Sequence, residues 1–266
     1  MSGIANFVLF HVNQIQVTFL DDIGNSKTIL GTGFWVDRQG VKYFVTNAHN
    51  LRPQMKLGSS CKLALQTLKI RTRILRPTGW NSISGFHEVR LDDQPIFHSS
   101  ADVALLKNPV FVSMPTDFAV SCFQYDDLAD KSWLQNNLHA MDMASFIGFP
   151  GKNGKPWYDE QWNLAIARTV NIASLPAVGY SNSQVPTTDT MLASGLSFSG
   201  SSGSAVVSHE KGIKLGEGLS GGNYFQPKLI GIMSGHWWGE DKPDVFQHSG
   251  LSYLTSSAAI ISLMNA

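Results

Sequence analysis

The amino-acid sequence predicts an all-β fold, because apolar runs of strand length recur along the chain and turn sequences separate them. Strand-like runs include residues 14–20, 27–36 and 103–107. The turns include DIGN at 22–25 and PGKNG at 150–154, which supply the glycine and asparagine that tight turns favour. Many short strands with few helical patterns between them favour a barrel or a sandwich over a parallel sheet flanked by helices.

The two ends of the chain show different patterns. Residues 256–264 place apolar side chains at helical spacing, which predicts a helix at the C-terminus. The apolar run at residues 4–10 is interpreted as a strand. It does not resemble a secretory signal, because no basic segment precedes it and no small-residue cleavage site follows it. No apolar run reaches the roughly 18 residues of a membrane span.

Composition and charge argue against several kinds of partner. The 266 residues include 20 basic and 20 acidic side chains, so the formal net charge is zero. No block of like charge occurs, so neither nucleic acid nor an anionic membrane is expected as a partner. The two cysteines, Cys61 and Cys122, suit a reducing compartment, although a single bridge between them is left open. A cytoplasmic protein is therefore expected.

Three local motifs contain candidate catalytic residues. YFVTNAH at residues 43–49 reads as a strand that ends in a polar corner with His49. DVALL at 102–106 places Asp102 at the start of an apolar strand, and GSSGSA at 200–205 is a Ser/Gly turn before another strand. Each motif alone is common in loops and at strand ends, but turn chemistry does not explain why all three occur together in this order.

Acyl transfer by a serine needs the groups that these motifs contain. An imidazole must take the proton of the hydroxyl, which is a poor nucleophile at neutral pH. A carboxylate must fix the imidazole tautomer and stabilise the imidazolium. Backbone N–H groups must converge on the oxyanion that develops, and small residues beside the serine permit this approach. His49, Asp102 and a serine of the third motif are therefore candidates for a shared site.

The motifs resemble those of the trypsin-like (chymotrypsin-fold) serine peptidase family. TNAH at 46–49, DVALL at 102–106 and GSSG at 200–203 match its alanine–histidine corner, its aspartate strand and its Gly-x-Ser-Gly turn. The order His, Asp, Ser is also the order of that family. FIGFP at 146–150 and LIGIMSG at 229–235 are similar to two of its strands. The resemblance extends over nearly the whole chain.

The resemblance implies a particular all-β architecture, namely two antiparallel β-barrels of the chymotrypsin type with a C-terminal helix. It also implies that the catalytic residues lie between the barrels. The expected domains are an N-terminal barrel at 1–125 with His49 and Asp102, a connection at 126–143, and a C-terminal barrel with the helix at 144–266 that carries Ser202.

The resemblance also selects the nucleophile between two adjacent serines. In the family the catalytic serine directly precedes the second glycine of the motif, which selects Ser202 over Ser201. The backbone N–H groups of Gly200 and Ser202 would then form the oxyanion hole. Secreted trypsins have an aspartate at the position of Ser201, which pairs with a new N-terminus after processing. The chain is therefore closer to the bacterial and viral branches, and activity without N-terminal processing is expected.

The resemblance locates the pocket for P1, the substrate residue before the scissile bond. Its expected lining residues are Leu196, Met233, Ser234, Gly235, His236 and Gly250. None of them is acidic, so Arg and Lys are expected to be disfavoured, and an apolar P1 residue is expected. The alternative is a pocket for Glu, in which His236 or His248 binds the carboxylate.

The expected function is that of a serine endopeptidase, which hydrolyses peptide bonds in a protein or peptide substrate through an acyl-enzyme. The resemblance implies neither a metal nor an organic cofactor. If the activity is controlled, an ordering loop or a regulatory protein partner is expected as the means. The alternatives are a catalytically idle protease-like binding module, which would not need an intact triad, and more remotely a related esterase.

Overall fold

The computed structural model describes residues 4–75, 81–92, 95–113, 118–152, 155–181, 189–212, 224–242 and 245–266. Within these ranges the chain consists mainly of β-strands, as predicted. The strands form one large sheet from the first half of the chain and one closed barrel from the second half. The cysteines Cys61 and Cys122 are free thiols, so they are not bridged.

The first half forms a nine-stranded sheet with the order β5-β4-β1-β2-β3-β7-β6, in which β8 pairs with β4 and β9 pairs with β2. In its described strands this sheet is an open path and not a closed ring. Alternate residues of β1, such as Ile15, Val17 and Phe19, face a buried core. The strands are β1 Val12–Leu20, β2 Ser26–Arg38, β3 Val41–Thr46, β4 Ala64–Leu75, β5 Asn81–Val89, β6 Ile96–Phe97, β7 Ala104–Lys107, β8 Phe118–Ala119 and β9 Phe123–Gln124.

The second half forms a closed antiparallel barrel of six strands with the order β10-β13-β14-β17-β16-β15. Its interior is filled by apolar side chains such as Phe146, Val206 and Ile230. The short strands β11 and β12 make a separate hairpin. The strands are β10 Met143–Gly148, β11 Gly151–Lys152, β12 Lys155–Pro156, β13 Ile166–Ile172, β14 Thr190–Ser194, β15 Ala205–Ser208, β16 Leu229–Lys242 and β17 Val245–Ser256.

Helices are short and lie at the ends and connections of these sheets. They are α1 Ile4–His11, α2 Ala48–Leu51, α3 Gln54–Leu57, α4 Lys131–Asn137 and α5 Ser257–Asn265. The last confirms the helix predicted at the C-terminus. Among the described residues, no helix has the length and apolar character needed to cross a membrane.

The strand predicted at residues 4–10 is wrong, because these residues form α1. A short apolar run has no periodicity that separates a strand from a buried helical turn. Arg73, which is distant in the sequence, caps the end of this helix. Its guanidinium donates to the carbonyls of Phe10 at 2.7 Å and Val12 at 3.0 Å. These hydrogen bonds satisfy carbonyl groups at the C-terminal end of the helix that the helix itself leaves without donors.

Candidate active site

His49 follows strand β3 and lies at the junction of the two halves. The strand ends at Thr46, and after Asn47 the chain turns into α2, which carries His49. Asn47 is fully buried. Its side-chain amide donates to the carbonyl of Asp102 at 2.8 Å and to the hydroxyl of Ser234 in the closed barrel at 2.9 Å. Asn47 therefore fixes the positions of three separate segments around His49.

His49 and Asp102 form a doubly hydrogen-bonded pair. The strands β3 and β7 are antiparallel with Thr46 opposite Ala104, so Asp102 lies beside the turn that carries His49. Nδ1 of His49 lies 2.6 Å from Oδ2 of Asp102, and the backbone N–H of His49 donates to Oδ1 at 3.0 Å. A carboxylate only accepts hydrogen bonds, so Nδ1 carries the proton and Nε2 has the free lone pair of a general base.

The environment of this pair favours a neutral imidazole and an ionised carboxylate. Burial lowers the pKa of His49, the charge of Asp102 raises it, and the charge of Lys56 lowers it further. Burial alone would raise the pKa of Asp102, but the charge and the hydrogen bonds of His49 outweigh burial and hold it below its usual range. At neutral pH the pair is therefore in the state that can accept a proton from a hydroxyl.

Ser202 reaches the same corner on the loop before β15. This segment, residues 196–204, is called the Ser202 loop. The carbonyl of Ser202 accepts from the backbone N–H of Thr32 in β2 at 2.9 Å and from the side-chain amide of Asn50, next to His49, at 3.2 Å. Ser202 Oγ itself makes no hydrogen bond in the described part of the chain. In free enzymes the bond between a nucleophile and its base often tightens only when substrate binds.

The backbone N–H groups of the Ser202 loop differ in whether they have an acceptor. The N–H groups of Ser201, Gly203 and Ser204 each donate to a backbone carbonyl at 3.0 Å. Those of Gly200 and Ser202 donate to no group in the described ranges. Gly200 and Gly203 have φ angles of +83° and +93°, in the left-handed region that glycine adopts most readily. The loop therefore offers two unengaged N–H groups at the positions predicted for an oxyanion hole.

The neighbouring Ser201 faces the protein interior. It is 1% exposed, and its hydroxyl oxygen accepts from the guanidinium of Arg168 at 2.7 Å and from the backbone N–H of Phe198 at 3.2 Å. A hydroxyl held in the protein interior does not reach a substrate. The structure thus separates the two adjacent serines into an inward-facing residue and a partly exposed one, Ser202.

The residues expected to line the P1 pocket differ in how far they are buried. Met233 is fully buried in the core of the closed barrel, whereas Leu196 is 52% exposed. Gly235 lies against Tyr253, since a Cβ at Gly235 would come within 2.5 Å of the Tyr253 hydroxyl. A Cβ added at Gly250 would have no described atom within 4 Å. The predicted apolar wall therefore does not form as one surface. The side chain of His248 lies outside the described residues.

A polar cluster near the expected pocket was not predicted from the sequence. Nδ1 of His236 lies 3.1 Å from the hydroxyl of Ser197, and that hydroxyl lies 3.0 Å from the hydroxyl of Ser252. Ser252 also donates to the carbonyl of Gly195 at 2.9 Å. Serine is too common in turns and strands for these contacts to be read from the chain. Only the pairing of β16 with β17, which places His236 opposite Ser252, brings them together.

Lys56 is a second residue that the sequence did not indicate. Its ammonium donates to the carbonyl of Ser234 at 3.0 Å. Much of the side chain is exposed, but burial of the ammonium lowers the pKa of Lys56, against the opposing charge of Asp102. The cation lies close enough to the pair of His49 and Asp102 to influence both pKa values.

Replacing Lys56 with methionine is expected to shift the pH at which His49 takes up a proton. The ammonium lowers the pKa of His49, so its removal raises that pKa. A general base must be neutral, so the kcat/KM profile of a reaction that used His49 as its base would have its acidic limb at higher pH. The measurement is a pH profile for the wild-type protein and the Lys56→Met variant. Lys62→Met, which removes an exposed cation paired with Asp22, is the matched control and leaves the profile in place. An unshifted profile for Lys56→Met contradicts this electrostatic coupling.

No family model matches the chain, and no curated protein matches it.

Proposed function

We propose that this protein is a serine endopeptidase of the trypsin-like type, with His49, Asp102 and Ser202 as its catalytic triad. The observation that carries the proposal is the arrangement at the junction. The bonded pair of His49 and Asp102 lies beside a loop in which the N–H groups of Gly200 and of Ser202 itself have no acceptor among the described residues. The proposal includes the architecture of two β-barrels, of which the closed barrel is the second and the sheet of the first half is the other.

The proposed reaction uses the same groups in both halves of the cycle. Ser202 Oγ attacks the carbonyl carbon of the scissile peptide while its proton passes to Nε2 of His49. The oxyanion is bound by the N–H groups of Gly200 and Ser202, and Asp102 stabilises the imidazolium. The carbon–nitrogen bond then breaks, and His49 returns the proton to the leaving amine. Water repeats the sequence on the acyl-enzyme and releases the carboxylic acid.

A fluorophosphonate probe and a peptide library test the proposal together. The probe reacts only with an activated serine, so covalent labelling mapped to Ser202 by mass spectrometry is the expected result. The library is expected to show cleavage of internal peptide bonds. An idle binding module with the same fold would give neither signal, and an esterase would be labelled without cleaving peptides.

A peptidase that selects Glu at P1 is a second candidate, and the polar cluster of His236, Ser197 and Ser252 favours it. The apolar P1 residue predicted from the sequence depended on a wall that included Met233, which lies in the core. Hydrogen bonds to a carboxylate are charge-assisted and therefore strong. A buried Arg or Lys at P1 would lack a partner, because no acidic side chain belongs to the cluster.

Matched peptides that differ only at P1 should therefore separate the two pockets. With Leu, Phe, Glu, Gln and Arg at P1, we expect Glu to exceed Gln by about tenfold or more in kcat/KM, the value of one charge-assisted hydrogen bond. Arg is expected to be cleaved slowest. His236→Ala should remove the preference for Glu over Gln. An optimum at Leu or Phe would support the apolar pocket instead of the Glu pocket. Rapid cleavage after Arg would contradict both pockets.

A further inference from the structure

Arg168 contacts both ends of the turn that precedes Ser202, although it lies on a different strand. It is on β13, directly opposite Phe146 of β10. One guanidinium nitrogen donates to the hydroxyl of Ser201 at 2.7 Å, and the other donates to the carbonyl of Leu196 at 3.2 Å. The hydroxyl of Ser201 also accepts from the N–H of Phe198. Arg168 thus connects two positions of the Ser202 loop, Leu196 and Ser201, and the hydroxyl of Ser201 connects them to a third, Phe198.

The surroundings of Arg168 leave the loop as its main polar partner. No carboxylate lies within ion-pair distance of Arg168 in the residues that the structure describes. Its guanidinium carbon lies 4.4 Å from the ring centre of Phe146 and 5.2 Å from that of Phe198. Burial lowers the pKa of Arg168 to about 10. A partly buried cation without an acidic partner costs free energy, which a purely apolar side chain between two phenyl rings would avoid.

We propose that Arg168 is the positioning residue that holds the Ser202 loop in its active conformation. The inference rests on the proposed function. In this protein, the hydrogen bond between Arg168 and Ser201 would take the role that the ion pair of an aspartate and a freed N-terminus has in secreted trypsins. With the hydroxyl of Ser201 held inward, Gly200 keeps its left-handed conformation, and the N–H groups of Gly200 and Ser202 stay available to bind an oxyanion.

The loop conformation can be measured independently of activity by amide hydrogen exchange. Arg168→Met keeps the length and apolar stem of the side chain but removes the donors. We expect peptides that cover residues 196–204 to exchange about tenfold faster in this variant, with strands β14 and β17 unchanged. Lys131→Met, which removes an exposed cation from α4, is the control and leaves the loop protected. Equal exchange of the Ser202 loop in wild type and Arg168→Met would overturn the inference.

The kinetic result separates positioning from general stability. Loss of a well-placed oxyanion donor lowers kcat by about 100-fold, so Arg168→Met is expected to lower kcat to about this extent with little change in KM. Arg168→Lys should keep part of the rate, because the lysine ammonium can replace one of the two donating nitrogens of the guanidinium. A wild-type protein that fails to react with a fluorophosphonate would refute the proposed function, while the exchange result would still decide the role of Arg168.

Changes at Ser201 test the same hydrogen bond from its acceptor side. They keep the inference testable even if the Arg168 variants fail to fold. Ser201→Asp should keep its activity, because the carboxylate would pair with the guanidinium. The same change combined with Arg168→Met should lose activity, since it buries an unpaired carboxylate. Ser201→Ala keeps the arginine and removes only its acceptor, so it should loosen the loop in the same direction but by less. Independent, multiplicative effects of the two positions would overturn the inference.

Discussion

Replacing Ser202 with alanine is expected to lower kcat by about four orders of magnitude or more while leaving the fold intact. The hydroxyl is the proposed nucleophile, and nothing else in the described site can form the acyl-enzyme. Ser202 Oγ makes no hydrogen bond in the described part of the structure, so its loss should leave the melting temperature nearly unchanged. The measurements are steady-state peptide hydrolysis, fluorophosphonate labelling and a thermal melt.

The adjacent Ser201 provides the matched control. Ser201→Ala removes a buried hydroxyl that binds Arg168 and the N–H of Phe198, so it should slow the reaction through the loop but still allow labelling. The double variant His49→Ala with Ser202→Ala should be about as slow as Ser202→Ala alone, because members of a triad act as a unit. If Ser201→Ala abolished labelling and Ser202→Ala did not, the nucleophile would be Ser201.

The sequence allowed the candidate triad to be predicted because each member lies within a local motif. Thr46 to His49 form a strand end and a corner, and the turn before β15 is marked by Gly200 and Gly203. The structure brings these three segments to one junction, which the motifs alone could not show. The peptidase activity itself remains a prediction. The C-terminal helix also followed from local spacing, since its apolar positions repeat at the helical period.

The residues that sequence analysis missed depend on contacts between distant segments. Arg168 reaches Ser201 across 33 positions of the chain, and no local pattern marks an arginine for such a role. The side chain of Met233 was expected to line a pocket, but it is buried in the core of the closed barrel. The pairing of β16 with β17 shifts register just after it, between Met233 and Gly235, and such a shift re-aims the side chains that follow. Neither feature can be read from composition or spacing.

Whether the first sheet closes into a barrel also depends on pairing between strands that are distant in the sequence. The resemblance implied two barrels, and the described strands show one closed ring in the second half and an open path in the first. Whether edge strands such as β5 and β6 meet depends on the lengths and twist of all the strands between them. Alternation of apolar residues specifies which face of a strand is buried, but it does not specify which edges join.

Replacing Gly203 with alanine is expected to be the most damaging change outside the triad. The residue has a φ angle of +93°, and a Cβ there would lie 1.7 Å from the carbonyl oxygen of Thr32. That oxygen also accepts a hydrogen bond from the hydroxyl of Thr46 at 2.7 Å, and the N–H of Thr32 donates to Ser202. The added methyl group would therefore push the loop away from β2 at the point where the two halves meet.

We expect Gly203→Ala to lower the free energy of unfolding by about 3–5 kcal/mol, from backbone strain and steric overlap together. Activity should fall by at least about 100-fold, since the N–H group of Ser202 moves with the loop. Gly40→Ala is the matched control: its φ angle is +87°, but no atom of the described residues lies within 4 Å of an added Cβ. It should lose only the strain of about 1–2 kcal/mol and keep its activity. Denaturant unfolding and peptide hydrolysis measure both effects, and equal losses at the two glycines would show that the contact with Thr32 does not constrain the loop.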